Sequence, residues 1–328
     1  STLPSQRLAK QGLLLESLKI FVLASAISIP LNVLITLIFH KHISIFIEYL
    51  KNYISIILIT AIYTILFFEE NKILSLIIFL ISGILGLYAF NILEFNKAVL
   101  ALFSGFFALS QIILNLIQKV DFFRDQKEDV EIKLTKDKII IGIFISVFVG
   151  VFSGLLPSLS TSQMLLLFQP IMDDRLFIFT SAASAFSNEI FSTTSLYTIQ
   201  NPRSGLSVYL EETIGKFEYS QFVICLASFL ISGSISILIF LLLYKRIFNL
   251  LKKVNFKFLN LIILFTIISI VFYFSGPLGL LILFVSTSLG ILTISLNVKR
   301  SYLMGSLIFS TILIYIGTYQ TLIQILKL

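Results

Sequence analysis

About ten stretches of roughly 16–27 mostly apolar residues follow one another along this chain, and no other feature limits its fold so strongly. Each approaches the ~20 residues that a helix needs to cross a ~30 Å hydrocarbon core. Only 12% of the 328 residues are charged and 57% are hydrophobic, where a soluble domain carries about 25% charged residues. A water-soluble fold of this length has no interior large enough for that surplus, so lipid is the solvent. Strands of a membrane barrel alternate in and out over ~10 residues. Runs such as Ile139–Phe152 and Leu261–Phe274 are apolar on nearly every side instead, which leaves helices, whose backbone groups are satisfied within the segment.

The pattern predicts spans at 20–39, 53–68, 73–93, 98–117, 139–156, 176–194, 217–243, 258–275, 278–296 and 301–318. Tight turns separate neighbours, as at Glu69-Glu70-Asn71-Lys72, Asn96-Lys97, Gly276-Pro277 and Lys299-Arg300. Residues 43–51 read as a short helix lying at the interface. Residues 118–138, dense in charges of both signs, read as a solvated cytoplasmic linker. It divides the chain into a first transmembrane repeat at 1–117 and a second at 139–328. The expected fold is an all-α polytopic membrane protein of about ten transmembrane helices, multi-pass in the cell membrane with lipid as its first partner.

The halves resemble each other. Phe21-Val22-Leu23-Ala24-Ser25 matches Ile224-Cys225-Leu226-Ala227-Ser228 at an offset of about 203, where Pro30 also meets Gly233. One residue further, Leu85-Gly86 pairs with Leu289-Gly290 and Asn96-Lys97 with Arg300-Ser301. The net charge of +7 lies in short turns without a nucleic-acid-binding motif, so it reads as topology and no nucleic-acid partner is expected. Of the 24 basic residues, 17 gather on one side, leaving Lys41, Lys51, Lys97, Arg175, Arg203, Lys216 and Lys327 on the other. This satisfies the positive-inside rule only when an odd number of crossings separates Lys138 from Gln200. The repeats are then inverted, a common build among secondary transporters.

Cys225 stands alone inside an apolar run and reads as a packing residue. His40 and His42 flank Lys41 without further ligands at metal spacing, so no metal or other cofactor is expected. No Ser/His, Asp/Asp or His-Glu-x-x-His arrangement lies within the spans, which argues against an enzyme.

The segment 150–205 differs from the rest. Gly150, Gly154 and Pro157 are followed by Ser158, Ser160, Thr161, Ser162 and Gln163 at the end of an apolar helix. Pro157 removes a donor and crowds the preceding turn, so the helix breaks there. Freed backbone at membrane depth is tolerated only inside protein or beside a watery cavity, and half-helix ends offer N–H groups suited to an anion. A small-residue helix follows, with Ser184, Ser187, Asn188 and Glu189. Close packing accounts for its small residues. It does not account for Glu189, because a carboxylate within an apolar span is costly and by default functional, for coupling to Na+ or H+. A position near a helix end, from which Glu189 snorkels into water, is the alternative. Arg203, in the loop Asn201-Pro202-Arg203-Ser204-Gly205, is either a bidentate clamp for a substrate carboxylate or an ordinary surface residue.

These residues carry a resemblance. Gly150–Gln163 with its Gly-x-x-Pro centre, the small-residue helix, and Leu196–Gly205 are similar to the second half of the archaeal branch of the large permease subunit of tripartite tricarboxylate transporters, most clearly over 139–235. The resemblance implies a duplicated multi-helix permease with a Gly/Pro-rich broken segment in each half. It also implies cation-coupled movement of a carboxylate, a solute-binding protein and a small membrane subunit as partners. Ser158 departs from the glycine usual after the proline, and the first half holds no Gly-x-x-Pro segment. Subtracting the repeat offset from 139–200 leads to the expectation of about 60 residues before Ser1 that would hold its counterpart.

The leading expectation is a secondary transporter for an organic anion. The alternatives are a non-transporting structural membrane subunit, which would need no buried Glu189, and a lipid-linked phosphate carrier, which should place Arg or Lys within a span. Association with a second copy of the chain is a further expectation.

Overall fold

The computed structural model describes residues 4–326 except 52, 68, 70, 119–125, 128–129, 157–158 and 252–253, and every regular element among the described residues is helical. In order these are α1 (Pro4–Lys10), α2 (Leu14–Lys51), α3 (Ile54–Phe67), α4 (Lys72–Ile92), α5 (Phe95–Phe103) and α6 (Ser110–Gln118), the last two joined by a π-helical stretch at Ser104–Leu109. Then follow α7 (Lys136–Leu155), α8 (Thr161–Leu166), α9 (Asp174–Ile199), α10 (Gly205–Ile214), α11 (Tyr219–Leu251), α12 (Phe256–Ser295), α13 (Gly305–Ile316) and α14 (Tyr319–Leu326). Six apolar helical segments are long enough to cross a membrane: Leu14–Ile43, Lys72–Ile92, Phe95–Ile117, Lys136–Leu155, Tyr219–Leu250 and Phe256–Ser295. Shorter apolar helices occupy Ile54–Phe67 and Arg300–Ile316. The protein is a polytopic helical membrane protein.

The expected spans 258–275 and 278–296 are two limbs of α12. At their junction Gly276 adopts φ 66°, ψ −164°, a conformation open to glycine, beside a proline that lacks an N–H and disfavours a helical residue before it. The expected interfacial helix at 43–51 is instead the end of α2, which runs unbroken to Lys51. Nothing from 31 to 51 is Gly or Pro, so no residue there stops the helix.

The chain forms two compact units, Thr2–Ile54 with Phe122–Lys252 and Ser55–Asp121 with Lys253–Leu328. These units cut across the sequence halves at 1–117 and 139–328, each drawing one part from either half.

In the first unit α2, α7 and α9 run parallel. Their shared start is tied by charge: Arg175 Nε and Nη2 donate to Glu16 Oε1 and Oε2 at 2.7 and 3.1 Å, and Lys138 pairs with Asp173. Further along, Gly142 meets Phe179, Gly150 meets Ser187 and Gly154 meets Phe191. On the α2 side, Ile20 and Ala24 pack among Ile178, Phe179, Ala182 and Ala183, and Val33 shares a buried cluster with Ile190. Helix α11 lies antiparallel to α2: Tyr219 and Phe222 stand 5.8 and 6.2 Å from the His40 ring, Gly233 abuts Ile29, and Tyr244 lies under Lys19 Nζ at 6.0 Å. These are the helices that the offset of about 203 pairs. Equivalent elements facing in opposite directions are what inverted repeats require, and they meet where Pro30 and Gly233 correspond.

The described part of the linker is exposed at most positions and pinned to α1 and α2 at a few. Gln126 is buried, donates to the Ala9 carbonyl and accepts from the Leu14 N–H. Lys19 Nζ donates to the Val130 carbonyl at 2.8 Å, and the Lys133 N–H donates to Glu16 Oε1 at 3.0 Å. Arg175 therefore lies at the same end as Lys19, Lys133 and Lys138, not on the opposite side where the charge count placed it.

In the second unit the repeats interlock reciprocally. Ser82 on α4 donates to its own Phe79 carbonyl at 2.9 Å and to the Tyr302 carbonyl at 3.1 Å. Ser286 on α12, one repeat later, donates to its own Leu283 carbonyl at 3.0 Å and to the Ala101 carbonyl at 3.4 Å. Gly86 lets α4 approach the Ser306 backbone, and Gly290 lets α12 approach the Phe106 carbonyl. Small residues permit such crossings where lipid supplies no hydrophobic drive for helix association.

Accessibility labelling of single cysteines at Lys127 and Leu206, in a Cys225→Ala background, is expected to report opposite membrane faces. Lys127 donates its N–H to the Gly12 carbonyl at 3.0 Å, at the Glu16 end, whereas Leu206 lies beyond the far end of α9. Labelling of both from one side would reject the inverted arrangement.

Candidate functional site

Helix α7 stops at Leu155, as the approach to Pro157 demands. Pro157 and Ser158 lie outside the described residues. The chain then turns back along α7. Helix α8 packs against α7 and α9, Phe168 reaches the ring of Phe148 at 5.8 Å between centroids, and Asp173 returns to Lys138 at the α7 start. Out along α7, back through 159–173 and out again along α9 makes three passes, so Lys138 and Gln200 lie at opposite ends of this unit. The odd count needed by the charge distribution is met, and it also explains why Arg175 sits with Lys138.

Ser160 and Gln163 cap α8 reciprocally. Ser160 Oγ accepts from the Gln163 N–H at 3.3 Å, and Gln163 Oε1 accepts from the Ser160 N–H at 3.0 Å. This capping box satisfies donors that the sequence reading had left free for an anion. Ser162 Oγ lies 2.9 Å from Ser160 Oγ and is exposed, and Thr161 is half-buried.

The α7–α9 contact is close because of Gly150 and Gly154. A Cβ on Gly150 would lie 2.0 Å from Ser187 Cβ, and one on Gly154 would lie 2.8 Å from the Asn188 carbonyl oxygen. Ser184 Oγ donates back to the Ser181 carbonyl at 3.1 Å, as serines in apolar helices do. Ser187 Oγ and Glu189 Oε2 are buried without a hydrogen-bond partner among the described residues. Asn188 and Glu189 are half-buried. Glu189 lies well inside α9 (Asp174–Ile199), not near its end, so its carboxylate has no short route to water along its own helix.

The loop after α9 folds back on it. Gln200 takes a left-handed conformation at φ 49°, and Ser195 Oγ donates to the Asn201 carbonyl at 3.0 Å. Ser207 Oγ accepts the N–H of Arg203 at 2.9 Å and stands 2.9 Å from Ser192 Oγ. The backbone of Arg203 is thereby held near Ser192, less than one turn along α9 from Glu189. Gly154, Ser160, Gln163, Ser187, Asn188, Glu189 and Arg203 thus gather toward the far end of one unit, while Ser184 sits a turn lower on α9. Between α2 and α7 lies a separate groove of about 560 Å³ lined by apolar side chains such as Pro30, Leu34, Ile140 and Phe144. Its lining holds nothing for a charged solute.

Three buried polar residues on α2, Ser28, Asn32 and Thr36, escaped the sequence reading. Their signal was polar residues at i, i+4 and i+8 inside an otherwise apolar span. Gln169 Oε1, in the returning segment, is likewise buried without a partner among the described residues. No group of three or more His, Cys, Asp or Glu side chains suited to a metal ion occurs among them.

A polytopic helical protein whose repeat-equivalent helices run antiparallel beside an interrupted one has the build of a secondary-transporter permease. The model of the tripartite tricarboxylate transporter TctA family matches residues 1–305, and the chain belongs to that family. It is 30% identical to the uncharacterized protein MJ1079 of Methanocaldococcus jannaschii over 329 residues, covering 96% of this chain and 81% of that one. An archaeal relative accords with the branch recognised from 139–235. No solved structure matches. The family is one of transporters, not of enzymes.

Proposed function

We propose that this permease moves a small organic anion of the carboxylate class across the cell membrane and couples that movement to a cation. The observation that carries the reading is Glu189, a carboxylate inside α9 with one oxygen buried and unpartnered among the described residues. An unpaired charge at membrane depth is unfavourable by several kcal/mol, so a group kept there needs a transient partner, and a cation in transit is one. Arg203 supplies the complementary charge for a substrate carboxylate, and the remaining donors at Thr161 and Ser162 orient it. A solute-binding protein and a small membrane subunit are the partners proposed to deliver substrate.

The test is uptake of labelled di- and tricarboxylates by proteoliposomes under sodium or proton gradients. Glu189→Gln is expected to lower gradient-driven uptake about tenfold or more while the purified variant stays monodisperse. Gradient-driven uptake equal to wild type in that variant would reject the coupling role.

A further inference from the structure

We propose that Asn32 and Thr36 of α2 complete, with the Glu189 carboxylate of α9, a sodium-ion site in the corner between α2, α9 and α11. The proposal rests on the reading of Glu189 as the coupling group and names the ion and the other half of its shell.

The first observation is a set of stranded oxygens. Asn32 and Thr36 are both 0% exposed, and Asn32 Oδ1, Thr36 Oγ1 and Glu189 Oε2 are buried without a hydrogen-bond partner among the described residues. Buried polar atoms are almost always paired, and these three, among six unpartnered oxygens of the unit with Ser28 Oγ, Gln169 Oε1 and Ser187 Oγ, call for an explanation. Asn32 cannot relieve its oxygen by flipping its amide. Its Nδ2 donates to the Ser28 carbonyl at 2.7 Å, and a flip would set oxygen against oxygen. The side chain is held with only an acceptor pointing outward.

Helix geometry brings the three together. Glu16 and Arg175 meet at the start of the parallel α2–α9 pair, and Asn32 and Glu189 lie 16 and 14 residues further on, within about 3 Å of one level at about 1.5 Å per residue. At about 100° per residue, Thr36 lies only ~20° around α2 from Ile29, the residue that abuts Gly233 of α11. Asn32 lies ~60° from Ile29 by the same count, turned from α11 toward α9. On α9, Glu189 is ~160° around from Ser187, whose Cβ faces Gly150 of α7. It is only ~20° from Leu196, which packs with Phe222 and Leu226 of α11. All three residues therefore sit on the α11 side of the α2–α9 contact, on the faces turned from α7.

The donor set fits one kind of ion. It contains oxygen alone, the ligand type of hard cations, with no sulfur or imidazole for a transition metal. A single carboxylate balances one positive charge. A divalent ion would leave a net charge in an apolar interior, which is costly. Pro30 adds a reason for the location: it has no N–H to offer the preceding turn, so α2 is weakened immediately before Asn32 and can adjust as an ion enters.

The experiment is thermal unfolding of the full-length protein in detergent at fixed pH and ionic strength, titrating NaCl against KCl or choline chloride, with no substrate present. A ligand bound only by the folded state stabilises it in proportion to ln(1 + c/Kd) at free concentration c, so the unfolding temperature starts to climb near the Kd and keeps rising with the logarithm of concentration above it. Wild type is expected to show a logarithmic rise with sodium, whose onset concentration gives the sodium midpoint, and none with choline. Thr36→Val, nearly isosteric and therefore the variant least prone to misfold, is expected to shift the sodium midpoint at least tenfold. Asn32→Leu and Glu189→Gln are expected to abolish the response. Equal responses to sodium, potassium and choline would overturn the site, as would an unchanged sodium midpoint in both Thr36→Val and Asn32→Leu. A response to pH without one to sodium would also overturn it. Absence of carboxylate uptake alongside an intact, variant-sensitive sodium response would refute the transport reading and leave the ion site standing.

Discussion

Gly150→Val is expected to yield no monodisperse protein, and Gly150→Ala a protein that unfolds at markedly lower temperature. A Cβ at this position would stand 2.0 Å from Ser187 Cβ, 3.0 Å from the Ser187 carbonyl carbon and 3.1 Å from the Asn188 nitrogen. Two of these neighbours are backbone, so no rotamer change makes room and α7 must move off α9. Overpacking ordinarily costs about 1–3 kcal/mol and occasionally more, and here the whole helix pair shifts, together with Glu189, the residue after Asn188. Gly233→Ala is the comparison. Its new Cβ would meet only the Cδ1 tip of Ile29, at 2.7 Å, and a side-chain end can swing aside. Size-exclusion profiles and unfolding temperatures of the three variants check this. A monodisperse Gly150→Val that melts within about 2 °C of wild type would show that the α7–α9 contact is not as close as the structure places it.

The spans were legible because hydrophobic length is a one-dimensional property. Each predicted span overlaps a described helix or a run of joined helices, with ends that run past it by a residue or two in most of them, even 176–194, which lies in α9, a helix rich in Ser and Thr that is recognised less by hydropathy than by its small residues. What sequence spacing misses is where a segment goes after it breaks. Gly154 and Pro157 announced the interruption of α7, yet nothing local says that 159–173 returns to Lys138. Without that return Arg175 was assigned to the wrong end. In the linker, mixed charge marks a stretch most of whose described residues are exposed, but it does not reveal that Gln126 and Val130 are buried because α1 and α2 offer them partners more than 100 residues distant.

The candidate site was legible in part. Glu189 stood out because ionisable residues in spans are rare. The Ser160–Gln163 capping box was equally visible as Ser-x-x-Gln, and its recognition would have shown that those two side chains serve α8 itself. Asn32 and Thr36 drew no notice since a single Asn or Thr in a span is unremarkable. Their meaning arises only when α9 places a carboxylate at the same level.

Glu16→Ala is expected to be among the most destabilising substitutions outside the site, at about 3 kcal/mol or more. The Glu16 side chain is 1% exposed and receives Arg175 Nε and Nη2 as well as the Lys133 N–H. It is thus the single acceptor joining the start of α2, the linker and the start of α9. Truncation strands a guanidinium that is itself only 28% exposed, and the loss of one partner from a buried pair costs far more than the pair contributes net. Arg175→Ala in addition to Glu16→Ala should therefore recover part of the loss, a sign that charge left unpaired, not lost packing, dominates. The neighbouring Lys138–Asp173 pair sets the scale. Burial would raise the Asp173 pKa, but the hydrogen bond from Lys138, that from the Leu176 N–H and the charges of Lys138 and Arg175 hold it below the usual carboxylate range. Such a depressed group contributes stability above its unfolded pKa and loses it as pH falls through the folded value. Its side chains are 44% and 45% exposed, so solvent screens most of that contribution. Asp173→Asn, which keeps the cap on Leu176, is expected to cost no more than about 0.5 kcal/mol. Chemical or thermal unfolding of the single and double variants at neutral pH decides. A Glu16→Ala loss no larger than that of Asp173→Asn, or a double variant less stable than the sum of its parts, would mean that the Glu16 contact does not bind the linker to both helices.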